Sequence, residues 1–330
     1  MKKLFIKFCR LFGLETIDQN KFVSPTLDKE LNEDLSTFNM KSIILPLGEV
    51  KITREVKSIL IILRMNTEIE IWDQSKKRLF EQPKIEYTIR SIKSLIKSIN
   101  FCKVKYPNLI IKTLIIDDNS NTKNFNRIEK LIEKTDFEII SLDHDKFEKK
   151  IQKQKTKETF SNLASLLQSF ETGKDRGDDL IFFVEDDYLH FEPMLEEMVA
   201  SYERISSQIG KDIFMCPSDY PYLYMTNEKT NILIGNKRHW RTINKTLCTF
   251  MTSKHLLDKY WDNFNKTCQN RHDPFEKYLN EIYEKEICIS PIKSLSLHLT
   301  NVNSSYGLSP FIDCKKLWEA ASTIDPDLKR

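Results

Sequence analysis

Residues 180–189 read Leu-Ile-Phe-Phe-Val-Glu-Asp-Asp-Tyr-Leu, so an apolar run stops at three consecutive carboxylates, Glu185, Asp186 and Asp187. Repulsion and desolvation oppose such a cluster unless it stands at a solvent-filled edge or a cation neutralises it. Carboxylates so placed can hold Mg²⁺ or Mn²⁺, hard cations that bridge protein oxygens to substrate phosphates. In extended backbone, residues two apart point the same way, so Glu185 and Asp187 share a face and Asp186 points oppositely. That spacing suits one acid on a metal and the other on a sugar or ribose hydroxyl, or both near the metal. By itself it also suits an ordinary turn or helix cap. A second acidic pair, Asp117-Asp118, ends another strand-like stretch, Leu109 to Ile116. The sequence has neither a Gly-x-x-x-x-Gly-Lys phosphate loop nor a Gly-x-Gly-x-x-Gly fingerprint, so a metal and isolated donors would have to neutralise any phosphate here.

The elements that must position these acids follow from hydrophobic periodicity. Ser58–Leu63, Leu109–Ile116, Phe137–Leu142 and Leu180–Val184 read as strands, the first and last as continuous apolar runs buried on both faces. Tyr87–Ile99, Asn126–Glu133 and Thr159–Phe170 read as the helices between them. Strands alternating with helices imply right-handed crossovers, hence an α/β fold with a mainly parallel sheet flanked by helices. Ligands gather beyond the carboxyl ends of such strands, where both acidic clusters fall, so both are expected to face one crevice. The rest of the chain elaborates that crevice. Asp212–Cys216 reads as a further strand and Pro217–Tyr222 as a proline-aromatic loop. Trp240–Thr242 and Thr246–Thr252 read as a hairpin-like pair, with Trp240 either core or ligand platform. His272–Glu276 opens a helix, with Asp273 as N-cap and Pro274 at the first helical position. An alternation from Ser296 delivers His298 to a small polar loop ending at Gly307.

Strand, helix, Ile-Ile-Asp-Asp-Asn-Ser, helix, strand, helix and then Phe-Phe-Val-Glu-Asp-Asp-Tyr, over roughly residues 57–310, resembles the nucleotide-sugar domain of GT-A-type glycosyltransferases, the family-2-like group especially. The resemblance implies a Rossmann-like domain over 41–330, with a nucleotide-sugar half at about 57–190 and an acceptor half at about 191–320. It implies that Asp117 or Asp118 binds the base or ribose. Glu185 and Asp187 match the Asp-x-Asp motif for Mn²⁺ or Mg²⁺ and the diphosphate, with Asp187 the direct ligand, Asp186 beside it and His298 completing the metal site. A glutamate in the first place departs from the strict motif. Asp273, or Glu276 as its substitute, would take the acceptor's proton, giving inversion. Arg64, Lys237, Arg238 and Arg241 are candidate phosphate contacts, surface charge being the ordinary alternative. The implied activity is transfer of a sugar from a nucleotide-diphosphate sugar to a hydroxyl of a glycan or lipid-linked acceptor. Two other readings stay open: a nucleotidyltransferase of related architecture, and a non-catalytic carbohydrate-binding protein on a degenerate transferase fold.

Composition narrows the partners. With 51 basic against 48 acidic residues, a net charge of +3, bulk electrostatics does not favour nucleic acid. The densest basic run, Lys149 to Lys157, reads as a solvated loop or helix face. Seven cysteines without paired spacing point to reduced thiols in a cytoplasmic setting. No segment approaches the roughly 18–20 uninterrupted apolar residues of a membrane span. Residues 1–40 read as an amphipathic segment and a polar connector, Asp18–Thr37. In residues 1–14, Lys2, Lys3, Lys7 and Arg10 interleave with Leu4, Phe5, Phe8, Leu11 and Phe12. That pattern suits peripheral contact with the inner face of an anionic membrane, and equally a helix packing its phenylalanines on the main domain.

Overall fold

The computed structural model describes residues 2–14, 41–44, 48–68, 79–224, 229–299 and 311–322. In chain order its first half comprises α1 (Lys2–Leu11), β1 (Lys41–Ile44), β2 (Gly48–Lys51), β3 (Ser58–Met65), α2 (Lys84–Lys105), β4 (Ile110–Asp117), α3 (Thr122–Ile132), β5 (Phe137–Ser141), α4 (His144–Glu148), α5 (Lys157–Arg176) and β6 (Leu180–Glu185). Its second half comprises β7 (Tyr188–His190), α6 (Met194–Ile209), β8 (Phe214–Met215), β9 (Ile232–Ile234), β10 (His239–Ile243), β11 (Phe250–Ser253), α7 (Lys254–Lys259), α8 (Trp261–Gln269), α9 (Lys277–Tyr283), β12 (Cys288–Ile292), β13 (Ser296–His298) and α10 (Cys314–Ala320). The polar connector, and the small-residue loop expected after His298, lie outside the described residues.

Strands β3 and β6 are apolar without alternation and buried almost throughout, so they need cover on both faces. Period-two side-chain geometry divides that cover. Ile59, Ile61 and Leu63 pack with Ile92 and Leu95 of α2 and Met198 and Tyr202 of α6. Leu60 and Ile62 pack with Leu163, Leu167 and Phe170 of α5 and Phe264 of α8 on the other side. The sheet order is β5-β4-β3-β6-β11-β8-β12-β10-β9. β5, β4, β3 and β6 are parallel. β11 enters antiparallel to both β6 and β8, β12 runs parallel to β8, and β10 and β9 close the edge antiparallel to their neighbours. The chain thus adopts the α/β class with the mainly parallel, helix-flanked sheet expected from its sequence.

Two local expectations are corrected. β10 and β11 do not form a hairpin, because β8 and β12 lie between them in the sheet. β11 buries Phe250 and Met251 opposite Phe183 and Phe182 of β6, whereas β10 pairs with β12 and buries Trp240 completely. Trp240 is therefore core, not a platform. Asp273 does not cap a helix: α9 starts only at Lys277, with Glu276 at the N-cap position, and the Asp273–Pro274 peptide is cis.

Burial of Trp240 places a demand on its neighbour. A Cβ on Gly235 would stand 2.4 Å from the Trp240 ring and 2.5 Å from Ser201 Oγ. Gly235→Ala is expected to destabilise the protein by about 1–3 kcal/mol. The measurement is a lowered urea midpoint with an unchanged slope.

A small second sheet carries the chemistry of the opening motif. β7 and β13 pair antiparallel, with Tyr188 opposite His298, Leu189 opposite Leu297 and His190 opposite Ser296. The Leu299 amide donates to the Asp187 carbonyl at 3.0 Å. Tyr87 and Leu189 pack with Leu297 and Trp318 of α10 behind this pair.

Candidate active site

The end of β3 is the hinge of the site. Register sets Arg64 beside Glu185 on one neighbour and Met65 beside Asp117 on the other. The next residue, Asn66, donates its side-chain amide to Asp118 Oδ2 at 2.9 Å and its backbone N–H to Asp186 Oδ2 at 3.3 Å. The two acidic clusters are therefore joined through Asn66. Asp117 is buried, and burial pushes its carboxyl above the usual range; the Ser120 contacts oppose this and the charges of Asp118 and Asp186 add to it. Asp118 meets His144 Nε2 at 2.9 Å and accepts from Ser161 Oγ at 3.2 Å.

Beyond Asp118 opens a cleft of about 1100 Å³, lined also by Asn66, Thr156, Lys153, Lys155, Lys157 and Arg271. Thr156 caps α5 there, accepting from the Thr159 amide. The lysine run that reads in sequence as a solvated face thus contributes three residues to a cleft wall. Its spacing carried no sign of this, because a loop rather than a helix presents Lys153 and Lys155.

Asp186 points away from its two neighbours, as the two-residue spacing requires. It takes Lys84 Nζ at 2.5 Å and Thr88 Oγ1 at 2.7 Å, both on α2. Glu185 and Asp187 remain on the solvent side, with side chains 27% and 17% exposed. Glu185 accepts from Arg64 Nη2 at 2.8 Å, and burial raises its pKa against the pull of that guanidinium. Arg64 also donates to Asn162 Oδ1 at 3.0 Å and Ser165 Oγ at 3.1 Å, so it ties Glu185 to α5. Removing the guanidinium leaves a half-buried carboxylate without its ion pair. Arg64→Ala is expected to cost about 2–3 kcal/mol, read by chemical denaturation, and Glu185→Gln in that background to recover part of it.

Asp187 Oδ2 lies 3.1 Å from His298 Nε2. Burial alone would lower the imidazole's pKa, but the adjoining Asp187, aided by Glu185, outweighs it and holds His298 above its ordinary value. The ring stacks on Tyr188 at 4.8 Å between centroids, and its buried Nδ1 has no hydrogen-bond partner among the described residues. Tyr188 is fixed in turn by a 2.5 Å contact between its hydroxyl and that of Tyr220, in the proline-aromatic loop.

Asp273 is exposed ahead of α9, whereas Glu276 is buried near enough to Glu185 and His298 to feel both charges. Burial, reinforced by Glu185, raises Glu276 to about 7. Of the remaining candidate cations the two arginines are engaged elsewhere and Lys237 is a surface charge. Arg241 forms a buried pair with Asp219 at 2.8 Å, Arg238 donates to the Lys293 carbonyl, and Lys237 lies 3.8 Å from Glu196.

Among the described residues, no three or more His, Cys, Asp or Glu side chains are grouped to hold a metal by themselves. Asp187 and His298 do offer an adjacent carboxylate and imidazole. Mg²⁺ and Mn²⁺ sites built on one or two protein ligands complete their shells with phosphate oxygens and water, and this pair fits that pattern. Sequence reasoning missed Asn66, Ser161 and Thr249, which donates to Glu185. The available signal for Asn66 was its place just past the end of the first strand, where ligands gather.

No family model and no curated protein sequence matches this chain. Among solved structures it is similar to S. aureus TarS 1-349, at 14% identity and a TM-score of 0.37 over 68% of this chain and 56% of that one, so it spans just over half of TarS 1-349. It is also similar to the apo-form glycosyltransferase GlyE of Streptococcus pneumoniae, at 10% identity and a TM-score of 0.40 over 82% of this chain and 61% of that one. A third is the UTP-bound UGPase from Acinetobacter baumannii, at 8% identity and a TM-score of 0.41 over 83% of this chain and 95% of that one.

Proposed function

We propose that this protein is a glycosyltransferase that moves a sugar from a nucleotide-diphosphate sugar to a hydroxyl of a glycan or lipid-linked acceptor, with inversion. The observation that carries the reading is the meeting of two acidic strand ends across Asn66, with a lysine-lined cleft beyond Asp118 and the Asp187–His298 pair beside a buried Glu276. Asp118, Asn66 and Ser161 offer the hydrogen-bonding groups for a nucleoside. Asp117 and Asp186 brace the turns that present Asp118 and Asn66. Lys153, Lys155 and Arg271 offer charge to the phosphates.

Asp187 and His298 would hold Mn²⁺ or Mg²⁺, which, when bound, neutralises charge developing on the departing diphosphate. Arg64 pairs with Glu185 beside them and opposes the rise that burial imposes on its carboxyl. Glu276, with a pKa near neutrality, is the group suited to take the acceptor's proton as its oxygen attacks the anomeric carbon. Asp273, the acid first expected in that role, stands exposed to solvent. Seven cysteines, none of them bridged, suit a reducing cytoplasm.

The test is product analysis with UDP-, GDP-, CMP- and dTDP-sugars, Mn²⁺ and mixed glycan acceptors. Release of a nucleotide with growth of an acceptor is the expected result. Formation of nucleotide sugar and pyrophosphate from a nucleoside triphosphate and a sugar phosphate would instead make this a nucleotidyltransferase. Neither reaction, with sugar binding retained, would leave a carbohydrate-binding protein.

A further inference from the structure

Helix α1 carries an apolar face that nothing in the described protein covers. Leu4, Phe5, Phe8, Leu11 and Phe12 are each more than half exposed, Leu11 the most at 82%, and Leu14 just beyond the helix is exposed as well. Leu4, Phe8 and Leu11 stand at i, i+4 and i+7, with Phe5 and Phe12 flanking them on the same side. The Phe8 and Phe12 rings meet edge to face at 5.0 Å, so the stripe is continuous. Lys7 stands next to Leu11 at the flank of the stripe with Arg10 beyond it, and both are exposed. No residue of α1 belongs to any of the three core clusters. Among the described residues Phe5, Phe8 and Phe12 are left uncovered, while Cys9 on a different side of the helix is buried.

An exposed apolar stripe of this density beside polar residues marks an interaction surface. Charge identifies the occupant. Residues 1–14 hold four basic side chains and no acid, so whatever covers the stripe must accept leucine and phenylalanine and also carry negative charge. We propose that α1 is an interfacial anchor that lies on a membrane surface bearing anionic lipids. The acyl boundary takes the apolar stripe while lipid phosphates take the lysines and Arg10. At 10 residues the helix is about 15 Å long, half the hydrocarbon thickness, so it lies on the surface and does not cross it. The inference is independent of the chemistry in the crevice.

The experiment is flotation of the full chain with vesicles of phosphatidylcholine alone or with phosphatidylglycerol admixed. Wild type is expected to float with the anionic vesicles, to stay in solution with neutral ones, and to lose binding as salt rises. The double variant Phe8→Ser, Leu11→Ser is expected to lower partitioning about tenfold or more, and Lys3→Glu with Lys7→Glu to remove the preference for phosphatidylglycerol. Nucleotide release in solution should be unchanged in both variants, so a failure here and a failure of the proposed activity are read separately. Equal partitioning onto neutral and anionic vesicles, or flotation unaffected by the α1 substitutions, would overturn the proposal. So would lipid-free dimerisation that the Phe8→Ser, Leu11→Ser variant abolishes, with no vesicle binding, which would assign the stripe to a second copy.

Discussion

Glu276→Gln is expected to lower turnover by about 10²–10⁴-fold and at the same time to stabilise the protein above neutral pH. Both effects come from one cause. Burial, with the charge of Glu185, raises the carboxyl from its ordinary 4.5 to about 7. A folded-state pKa above the unfolded value means that the group's contribution to stability is fully present below about 4.5 and is lost as pH rises through about 7. Above that range the folded protein carries a buried carboxylate that water would solvate better. Glutamine removes it, so the variant should gain about 1–3 kcal/mol at pH 8 and nothing at pH 4, as measured by urea denaturation at the two values. A base must be ionised to work, so wild-type kcat/KM should climb through about pH 7 and this limb should vanish in the variant. Asp273→Asn should keep the limb, since Asp273 is exposed. Loss of the limb in Asp273→Asn alone would move the base there.

Asp187→Ala is expected to reduce kcat/KM by about 10³ or more, with a smaller loss of stability than Asp186→Ala. The side chain is 17% exposed, and what its loss removes in the fold is the contact with His298. Its neighbour His298, which supplies only part of the donor set, should give a smaller loss in His298→Ala, about 10–100-fold. Asp186→Ala should behave oppositely, lowering stability more than donor affinity, because Asp186 is buried against Lys84 and Thr88. Nucleotide-release assays beside denaturation curves for the three variants separate these patterns. Equal loss of stability in all three would make the motif a structural turn.

Much of this architecture is legible in the sequence because the central strands are apolar on both faces. Ser58–Leu63 and Leu180–Val184 could be placed without ambiguity, and with them the acids at their ends. The opposite orientations of Asp186 and its neighbours also follow from two-residue periodicity. What the sequence conceals is long-range pairing. Nothing local says that β11 inserts between β6 and β8, so the stretch after Trp240 reads as a hairpin. Nothing local distinguishes Asp273 from Glu276 either. Asp-Pro carries the familiar pattern of a helix start, and only packing reveals that the helix begins later and that Glu276 is the buried acid. Asn66 is concealed for a third reason: its value lies in reaching two clusters 52 and 120 residues away.

The most direct test of the central claim is calorimetric titration of the wild-type chain with UDP-, GDP-, CMP- and dTDP-sugars, each with and without Mn²⁺. Binding of one nucleotide class that requires the metal and disappears in Asp187→Ala is the expected result, and it would assign the two acidic clusters joined by Asn66 to a sugar donor. Absence of binding for every donor, with Asp187→Ala altering only stability, would contradict it.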